Sequence, residues 1–355
     1  MSSNILPIGA LLPTLNARET IAAHLAGAQA WLPLVREVVV VDSYSEDGTL
    51  DYLKQHLRHP NVRFLSHPRG LYQSWNFGLQ QLTAPYAYIA TVGDHITPEG
   101  LQHLVAVARD LEAQVVLSRP ELFDLEGRRI LQPANWPIHR LLQDCPLDQP
   151  RRLEPWQLYL LACLDIPRGI LGSSASNLYR TEAVLRSGGF PTGYGHAGDT
   201  AWAIANAFQA VVAVTPRVFS QFVVHPNAAT GMDPARFREL LANLFDLAEQ
   251  SGSLARAQLA ADDPNAPWLE FITSFPCQVR RLRERQEAYN DVRRSLRPWP
   301  WIFSRAAWRA RAGRNRQRRR VRELAAQLAA AAAPRPDAWD RALLSHLSQT
   351  LRQVC

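Results

Sequence analysis

Glu37-Val38-Val39-Val40-Val41-Asp42-Ser43-Tyr44-Ser45-Glu46-Asp47-Gly48-Thr49 is the run whose reading decides the fold. Its four consecutive valines show no apolar–polar alternation, so they suit a strand buried on both faces, as in a parallel sheet covered by helices. Asp42 to Gly48 reads as a polar loop and Thr49 to Leu57 as a helix. The same alternation extends on either side. Upstream, Ile5 to Pro13 reads as a strand, and Ala17 to Trp31 as a helix with Ile21, Leu25 and Ala28 on one face. Downstream come a strand at Val62–Leu65, a helix at Leu71–Leu82 and a strand at Tyr86–Val92. Thr97-Pro98-Glu99 opens a further helix, with Thr97 as N-cap and Pro98 in the first turn, and Val115–Ser118 closes the series.

This order predicts an α/β fold, a mostly parallel Rossmann-like sheet with helices on both faces. In such sheets ligands bind beyond the carboxyl ends of the strands. The residues there are Pro13-Thr14-Leu15-Asn16, Asp42-Ser43, His67-Pro68-Arg69 and Gly93-Asp94-His95. Farther on, Glu121–Pro167 reads as irregular and rich in Pro and Trp. Gly172–Tyr179 reads as a strand, Arg180–Ser187 and Asp199–Phe208 as helices, and Ala210–Val214 as a strand. From Asp233 the chain reads as almost wholly helical, with an alanine run at Ala325–Ala333 and breaks at Pro334 and Pro336. The expected organisation is a nucleotide-binding α/β region over 1–230 and a helical region over 231–355.

Composition bounds the function. The chain has 355 residues with 47% apolar content, enough for a sizeable core, and a net charge of +7 carried almost entirely by arginine, since Lys54 is the only lysine. Cys145, Cys163, Cys277 and Cys355 are widely spaced, which argues against a zinc knuckle or a disulfide framework and for reduced thiols. Met1–Ala10 lacks the pattern of a secretory signal, and no apolar run has the length of a membrane span. These features predict a cytoplasmic protein, soluble or peripheral on the inner face of a membrane.

Five segments in order resemble glycosyltransferase family 2. Leu12-Pro13-Thr14-Leu15-Asn16 is similar to its opening strand and turn, and Val39-Val40-Val41-Asp42-Ser43-Tyr44-Ser45-Glu46-Asp47-Gly48-Thr49 to its V-V-D-D-G-S-x-D-G-T segment. Gly70-Leu71-Tyr72-Gln73-Ser74-Trp75-Asn76-Phe77-Gly78 resembles its G-x-x-x-A-x-N-x-G helix. Tyr86–Pro98 stands in place of the acidic D-x-D loop, and Gly188-Gly189-Phe190 with Gly198-Asp199 in place of G-G-F…E-D. The resemblance covers about Ile5 to Phe208. It implies a GT-A-like fold and an inverting transfer of sugar from a nucleotide-sugar donor, with a divalent cation, Mn²⁺ or Mg²⁺, as cofactor.

Such chemistry needs a nucleotide pocket, compensation for a diphosphate leaving group and a base for the acceptor hydroxyl. By strand-end position and resemblance, the donor-binding residues are Pro13, Thr14, Asn16, Asp42, Ser43, Arg69, Asn76 and Asp94. Asp42 either accepts from the nucleotide or forms an Asx turn, Asn76 either touches the nucleotide or holds the loops, and Asp47 caps the following helix. Ser43 replaces the second acid of the pair, leaving UDP, GDP and dTDP open. Asp94 is the sole carboxylate of its loop; with His95, and His225 from farther on, it makes the candidate metal set. His225 is equally a donor to the β-phosphate or a core residue. The resemblance makes Asp199 the catalytic base, with an N-cap role as its structural alternative and His196 as a second base. Gly198 replaces the usual Glu.

Between Arg280 and Arg322 there are sixteen arginines against the three acids Glu284, Glu287 and Asp291, with Trp299, Trp301, Phe303 and Trp308 interleaved. That composition suits an anionic membrane surface more than nucleic acid, or else a solvated face whose tryptophans pack on the body. The expected acceptor is a cell-surface or lipid-linked glycan, with Trp136, Trp156 and Tyr159 either stacking on its sugars or lying in the core. A rival reading is a catalytically degenerate relative acting as an arginine-rich membrane- or nucleic-acid-binding protein.

Overall fold

A computed structural model describes residues 5–130, 136–224, 233–258, 266–295, 305–332, 335 and 337–354. His225, Trp299, Trp301, Phe303, Pro334 and Pro336, and the side chain of Trp308, for which the sequence raises expectations, lie outside the described residues.

The strands are β1 (Ile8–Thr14), β2 (Glu37–Asp42), β3 (Val62–Ser66), β4 (Tyr86–Ile89), β5 (His95–Ile96), β6 (Val115–Leu117), β7 (Glu121–Phe123), β8 (Arg151–Arg152), β9 (Leu178–Arg180), β10 (Val212–Val214) and β11 (Ser220–Val223). The helices are α1 (Arg18–Ala28), α2 (Thr49–His56), α3 (Leu71–Gln81), α4 (Pro98–Asp110), α5 (Pro137–Asp144), α6 (Pro155–Leu164), α7 (Thr181–Arg186), α8 (Gly198–Ala205), α9 (Pro234–Ala257), α10 (Ala266–Ser295), α11 (Arg305–Ala332) and α12 (Ala338–Val354).

Eight strands form one sheet in the order β3-β2-β1-β4-β9-β6-β10-β8. β3, β2, β1 and β4 run parallel, β9 inserts antiparallel between β4 and β6, and β8 is an antiparallel edge. Every residue of β2 is buried, as its unbroken valine run requires. β1 and β2 pair Thr14 with Asp42, so both chain turns leave the sheet at one level. A second sheet, β5-β11-β7, stands beside the first and begins directly after Asp94.

Two readings from the sequence change. Gly172–Tyr179 is not one strand: Ser174–Ser176 is a 3-10 turn, and only Leu178–Arg180 pairs in the sheet. The stretch Glu121–Pro167 is not irregular but holds β7, α5, β8 and α6. Eight successive residues of α6, Gln157 to Leu164, are buried, so this helix has no polar face to produce a 3.6-residue rhythm. It is marked instead by a capping box, in which Glu154 and Gln157 exchange backbone hydrogen bonds behind Pro155.

The helices α9 to α12 share an apolar core with the α/β body. Leu244, Phe245, Phe275, Leu328, Leu343 and Leu347 belong to the same buried cluster as Leu158, Tyr159, Trp202 and Val214. Polar ties cross the junction: Tyr159 Oη donates to the Ala248 carbonyl (2.7 Å), and Trp339 Nε1 to the Cys145 carbonyl (3.3 Å). Among the described residues no helix is long and apolar enough to cross a membrane.

Candidate active site

Asp42, 1% exposed, ends β2 with a carboxylate that accepts three hydrogen bonds. Its Oδ1 accepts from Thr14 Oγ1 (2.9 Å) and Ser45 Oγ (2.6 Å), and its Oδ2 from the Ser45 amide (2.8 Å). This is the turn-forming arrangement, with only the spare lone-pair capacity of Oδ2 left for a ligand. Asn16, at a positive φ of 45°, fastens the same loop from β1: its amide donates to Ser45 Oγ (2.9 Å) and its Oδ1 accepts from the Glu46 amide (3.0 Å). Asp47 accepts from the amides of Thr49 (3.0 Å) and Arg18 (2.9 Å), binding the starts of α1 and α2 together. Pro13 continues β1 opposite Val41, and Arg69 is exposed in the turn before α3.

Sequence reasoning passed over Tyr44. It is 61% exposed at a φ of +58°, a backbone region that bulky side chains rarely occupy and that concentrates at functional sites. Its place directly after Asp42-Ser43 was the only available signal.

Helix α3 ties this edge to the other half of the site. Ser74 Oγ shares a 3.0 Å hydrogen bond with Ser43 Oγ. Two turns of the same helix hold the chain on the far side. Asn76 Nδ2 donates to the Phe190 carbonyl and its Oδ1 accepts from the Phe190 amide, both at 2.8 Å. Asn76 therefore clamps the Gly188-Gly189-Phe190 turn. A Cβ at Gly189 would stand 2.6 Å from Asn76 Oδ1, and φ there is +78°. Tyr72 Oη donates to the His196 carbonyl (3.0 Å), reaching the loop that precedes Asp199.

Asp199 lies in the first turn of α8, where Oδ1 accepts from its neighbour's amide, Thr200 N (2.6 Å). The residue keeps a partly exposed edge while its carboxyl sits in packed surroundings. Burial raises its pKa above the usual carboxylate value; the Thr200 amide, the Tyr72 and Thr200 hydroxyls and His196 work against that rise. A carboxylate of raised basicity in a residue that is not wholly buried suits a general base. His196, exposed in the adjoining turn, faces the same carboxyl.

Asp94 is 4% exposed. Its Oδ1 accepts from the Val223 amide (3.2 Å) and its Oδ2 from Ser173 Oγ (3.4 Å), while burial pushes its pKa up to about 7. Ser173 leads into the segment that carries Ser174, Asn177 and Tyr179; Tyr179, in turn, faces Asp199. Asp94 and Asp199 thus border one short stretch of chain, while Asp42 and Asp199 are joined through α3.

Of the expected metal set, His225 lies outside the described residues, and His95 is turned from Asp94 toward α1. Its ring stacks on His24 of α1 (5.9 Å between centroids), and a Cβ at Gly27 would meet its Nδ1 at 2.3 Å. Neighbours along an extended chain point opposite ways, so while Asp94 faces Ser173, His95 faces α1. No group of three or more His, Cys, Asp or Glu side chains arranged for a metal occurs among the described residues. Both oxygens of the lone Asp94 are already in hydrogen bonds, and hard divalent cations take many oxygen ligands. Among the described residues, Asp94 is thus the one carboxylate placed at this strand end.

The aromatic residues expected at the acceptor serve packing. Tyr159 is fully buried against Phe208, Trp156 packs edge-on to Trp268 under Arg335, and Trp136 packs on Phe222. Of the arginine-rich segment, Arg280 pairs with Asp246 (2.5 Å) and Arg283 reaches Asp165 (3.8 Å), which anchors α10 to the body. Arg281, Arg285, Arg316, Arg318, Arg319, Arg320 and Arg322 are exposed.

Residues 10–159 match the model of Glycosyl transferase family 2. A search of curated proteins finds no match. Among solved structures the chain is similar to TarS of S. aureus, at 16% identity and a TM-score of 0.51, covering 77% of this chain but 43% of that one. The chain thus spans less than half of that longer TarS chain. Over TarS 1–349 in complex with UDP-GlcNAc it aligns at 14% identity and a TM-score of 0.55, covering 98% of this chain and 90% of that one. The complex of TarS 1–349 with UDP aligns over the same shares, at 14% identity and a TM-score of 0.53. At these identities the likeness is one of fold.

Proposed function

We propose, from the match of residues 10–159 to the model of Glycosyl transferase family 2, that the chain is an inverting glycosyltransferase moving a sugar from a nucleotide-sugar donor to a glycan or lipid-linked acceptor. The observation that carries the reading is the α3 bridge: one helix binds the Asp42-Ser43 edge through Ser74 and the Asp199 turn through Tyr72. A donor seated on the first then presents its sugar to the second.

In this reading Thr14, Asn16 and Ser43 shape the nucleotide pocket, with Asp42 holding its floor and the exposed ring of Tyr44 at its lip. Arg69 offers positive charge to the diphosphate. Asp199 takes the proton of the acceptor hydroxyl as its oxygen attacks the anomeric carbon. The bond from that carbon to the diphosphate breaks, and the nucleoside diphosphate leaves with the electron pair. Attack opposite the leaving group inverts the configuration. No step is routed through a metal. UDP is the proposed nucleotide, because the structures of similar fold hold UDP and UDP-GlcNAc. The exposed arginines of α10 and α11 are proposed to rest on an anionic membrane surface bearing the acceptor.

The test is a thermal-shift panel of UDP, GDP and dTDP, each with and without Mn²⁺, followed by Asp199→Asn. Nucleotide binding stabilises the fold by mass action. UDP raises the melting temperature, and Asp199→Asn keeps that rise while transfer is lost. A chain insensitive to all three nucleotides instead supports the arginine-rich binding protein. Liposome co-sedimentation, with and without residues 279–322, tests the membrane contact; equal binding by both forms refutes it.

A further inference from the structure

Among the described residues, the side chains carried on a positive φ are those of Asn16 (45°), Glu112 (49°) and Tyr44 (58°). The first two are ordinary. Asparagine tolerates the left-handed region, and Glu112 follows the C-cap of α4, where a left-handed residue commonly closes a helix. Tyr44 fits neither case. It is bulky, and it stands where the motif that this run resembles, V-V-D-D-G-S-x-D-G-T, has glycine. Its backbone is held there from both sides. The Ser43 amide donates to the Thr14 carbonyl (2.9 Å), and Ser45 Oγ accepts from the Asn16 amide (2.9 Å), so both neighbours of Tyr44 are fastened to the end of β1. The residue is thereby mounted between the carboxyl ends of β1 and β2, the edge at which a sheet of this kind takes ligands. Its side chain is 61% exposed, and among the described residues no ring packs on it and its hydroxyl makes no hydrogen bond. A lone exposed aromatic needs no explanation by itself. One that occupies a glycine's backbone, with its ring unused by the fold, does.

We propose that the Tyr44 ring is the platform on which the base of the donor nucleotide stacks. The proposal rests on the reading of the chain as one that takes a nucleotide-sugar. A nucleobase is a flat π-system, and an aromatic ring left uncovered by the protein offers it a matching face. Stacking is indifferent to which base is present, since every base has such a face. Tyr44 therefore supplies affinity, and discrimination is left to the polar groups of Thr14, Asn16 and Ser43 around it. Stability and nucleotide affinity then pull in opposite directions at this one residue, because glycine relaxes the turn but removes the ring.

Isothermal titration with UDP, GDP and dTDP, together with thermal melts of the unliganded full chain, reads both quantities in wild type, Tyr44→Gly, Tyr44→Phe and Tyr44→Leu. Tyr44→Gly is expected to melt at or above the wild-type temperature, while its Kd for each nucleotide that wild type binds rises about tenfold, the scale of one lost stack. Tyr44→Phe keeps the ring and the wild-type affinity. Tyr44→Leu keeps apolar bulk without a π-face and loses affinity as Tyr44→Gly does. An unchanged Kd in Tyr44→Gly overturns the proposal. So does wild-type affinity in Tyr44→Leu, which would make the contact one of apolar bulk, or a loss in Tyr44→Phe equal to that in Tyr44→Gly, which would place the binding in the hydroxyl. A weaker Kd in Tyr44→Gly that comes with a lower melting temperature also overturns it, because the turn itself would then be at fault. A wild-type chain that binds none of the three nucleotides sinks the donor reading along with the stack, whereas variants that bind as wild type does sink the stack alone.

Discussion

Replacing Asn76 is the perturbation most directly readable from the geometry. Its amide makes two hydrogen bonds of 2.8 Å, giving one to the Phe190 carbonyl and taking one from the Phe190 amide. Asn76→Ala strands both backbone groups. A net loss of about 1 kcal/mol per hydrogen bond, with a further ~1 kcal/mol for each partner left poorly solvated, gives roughly 2–4 kcal/mol. Asn76→Asp separates the two halves of the clamp. It still accepts from the Phe190 amide but turns a carboxylate oxygen toward the Phe190 carbonyl, so it should cost at least as much as alanine above the carboxylate pKa. Urea unfolding at pH 8 measures both. Stability should fall in the order wild type, Asn76→Ala, Asn76→Asp, and the aspartate variant should recover ground as pH is lowered and its carboxyl gains a proton to donate. Because the turn leads toward Asp199, turnover should fall in both variants more than UDP affinity does. An Asn76→Ala variant within 0.5 kcal/mol of wild type, a bound set from the usual scatter of surface changes, would refute the clamp.

Other outcomes follow from the same contacts. Asp94 has a folded pKa of about 7 against an ordinary 3.8, so its contribution favours folding at low pH and is lost as pH rises through that interval. Asp94→Asn should therefore gain on wild type by up to about 4 kcal/mol between pH 4 and pH 8, at 1.36 kcal/mol per unit, and thermal melts at both pH values check it. A constant difference across that range would contradict the assignment. Trp339→Ala opens a cavity at the junction of α12 with α5 and removes the bond to the Cys145 carbonyl, which should cost about 3–5 kcal/mol and lower a single unfolding transition. Two separate transitions would show that the halves fold apart.

How far the fold was legible depended on whether burial was one-sided, uniform or shared across distant elements. The valine run of β2 declared a two-sided strand because nothing polar interrupts it, and its neighbours followed from β–α alternation. α6 stayed hidden for the same reason in reverse: a helix buried on all sides shows no period. At the site, Asp42, Asn76 and Asp199 were visible because they end strands or stand in recognisable order. The sequence could not say that Asp42 spends its carboxylate on Thr14 and Ser45, or that Asn76 holds Phe190, since those partners lie 28 and 114 residues away in the Thr14 and Phe190 bonds. The stacking of His95 on His24 was not legible either, since adjacency to Asp94 says nothing of which way the next side chain of an extended backbone turns. Tyr72 lay inside a quoted segment, but its partner, the His196 carbonyl, is 124 residues away and could not be read from it.

The common core beneath α6 and the last four helices also limits how such a chain can diverge. A tail hung on a linker can be exchanged freely between relatives. Here Tyr159 and Cys145, inside the α/β half, bind the backbone and indole of helices far along the chain. A chimera that imports foreign final helices must also carry their matching α5 and α6, so the two halves are inherited in one block or not at all.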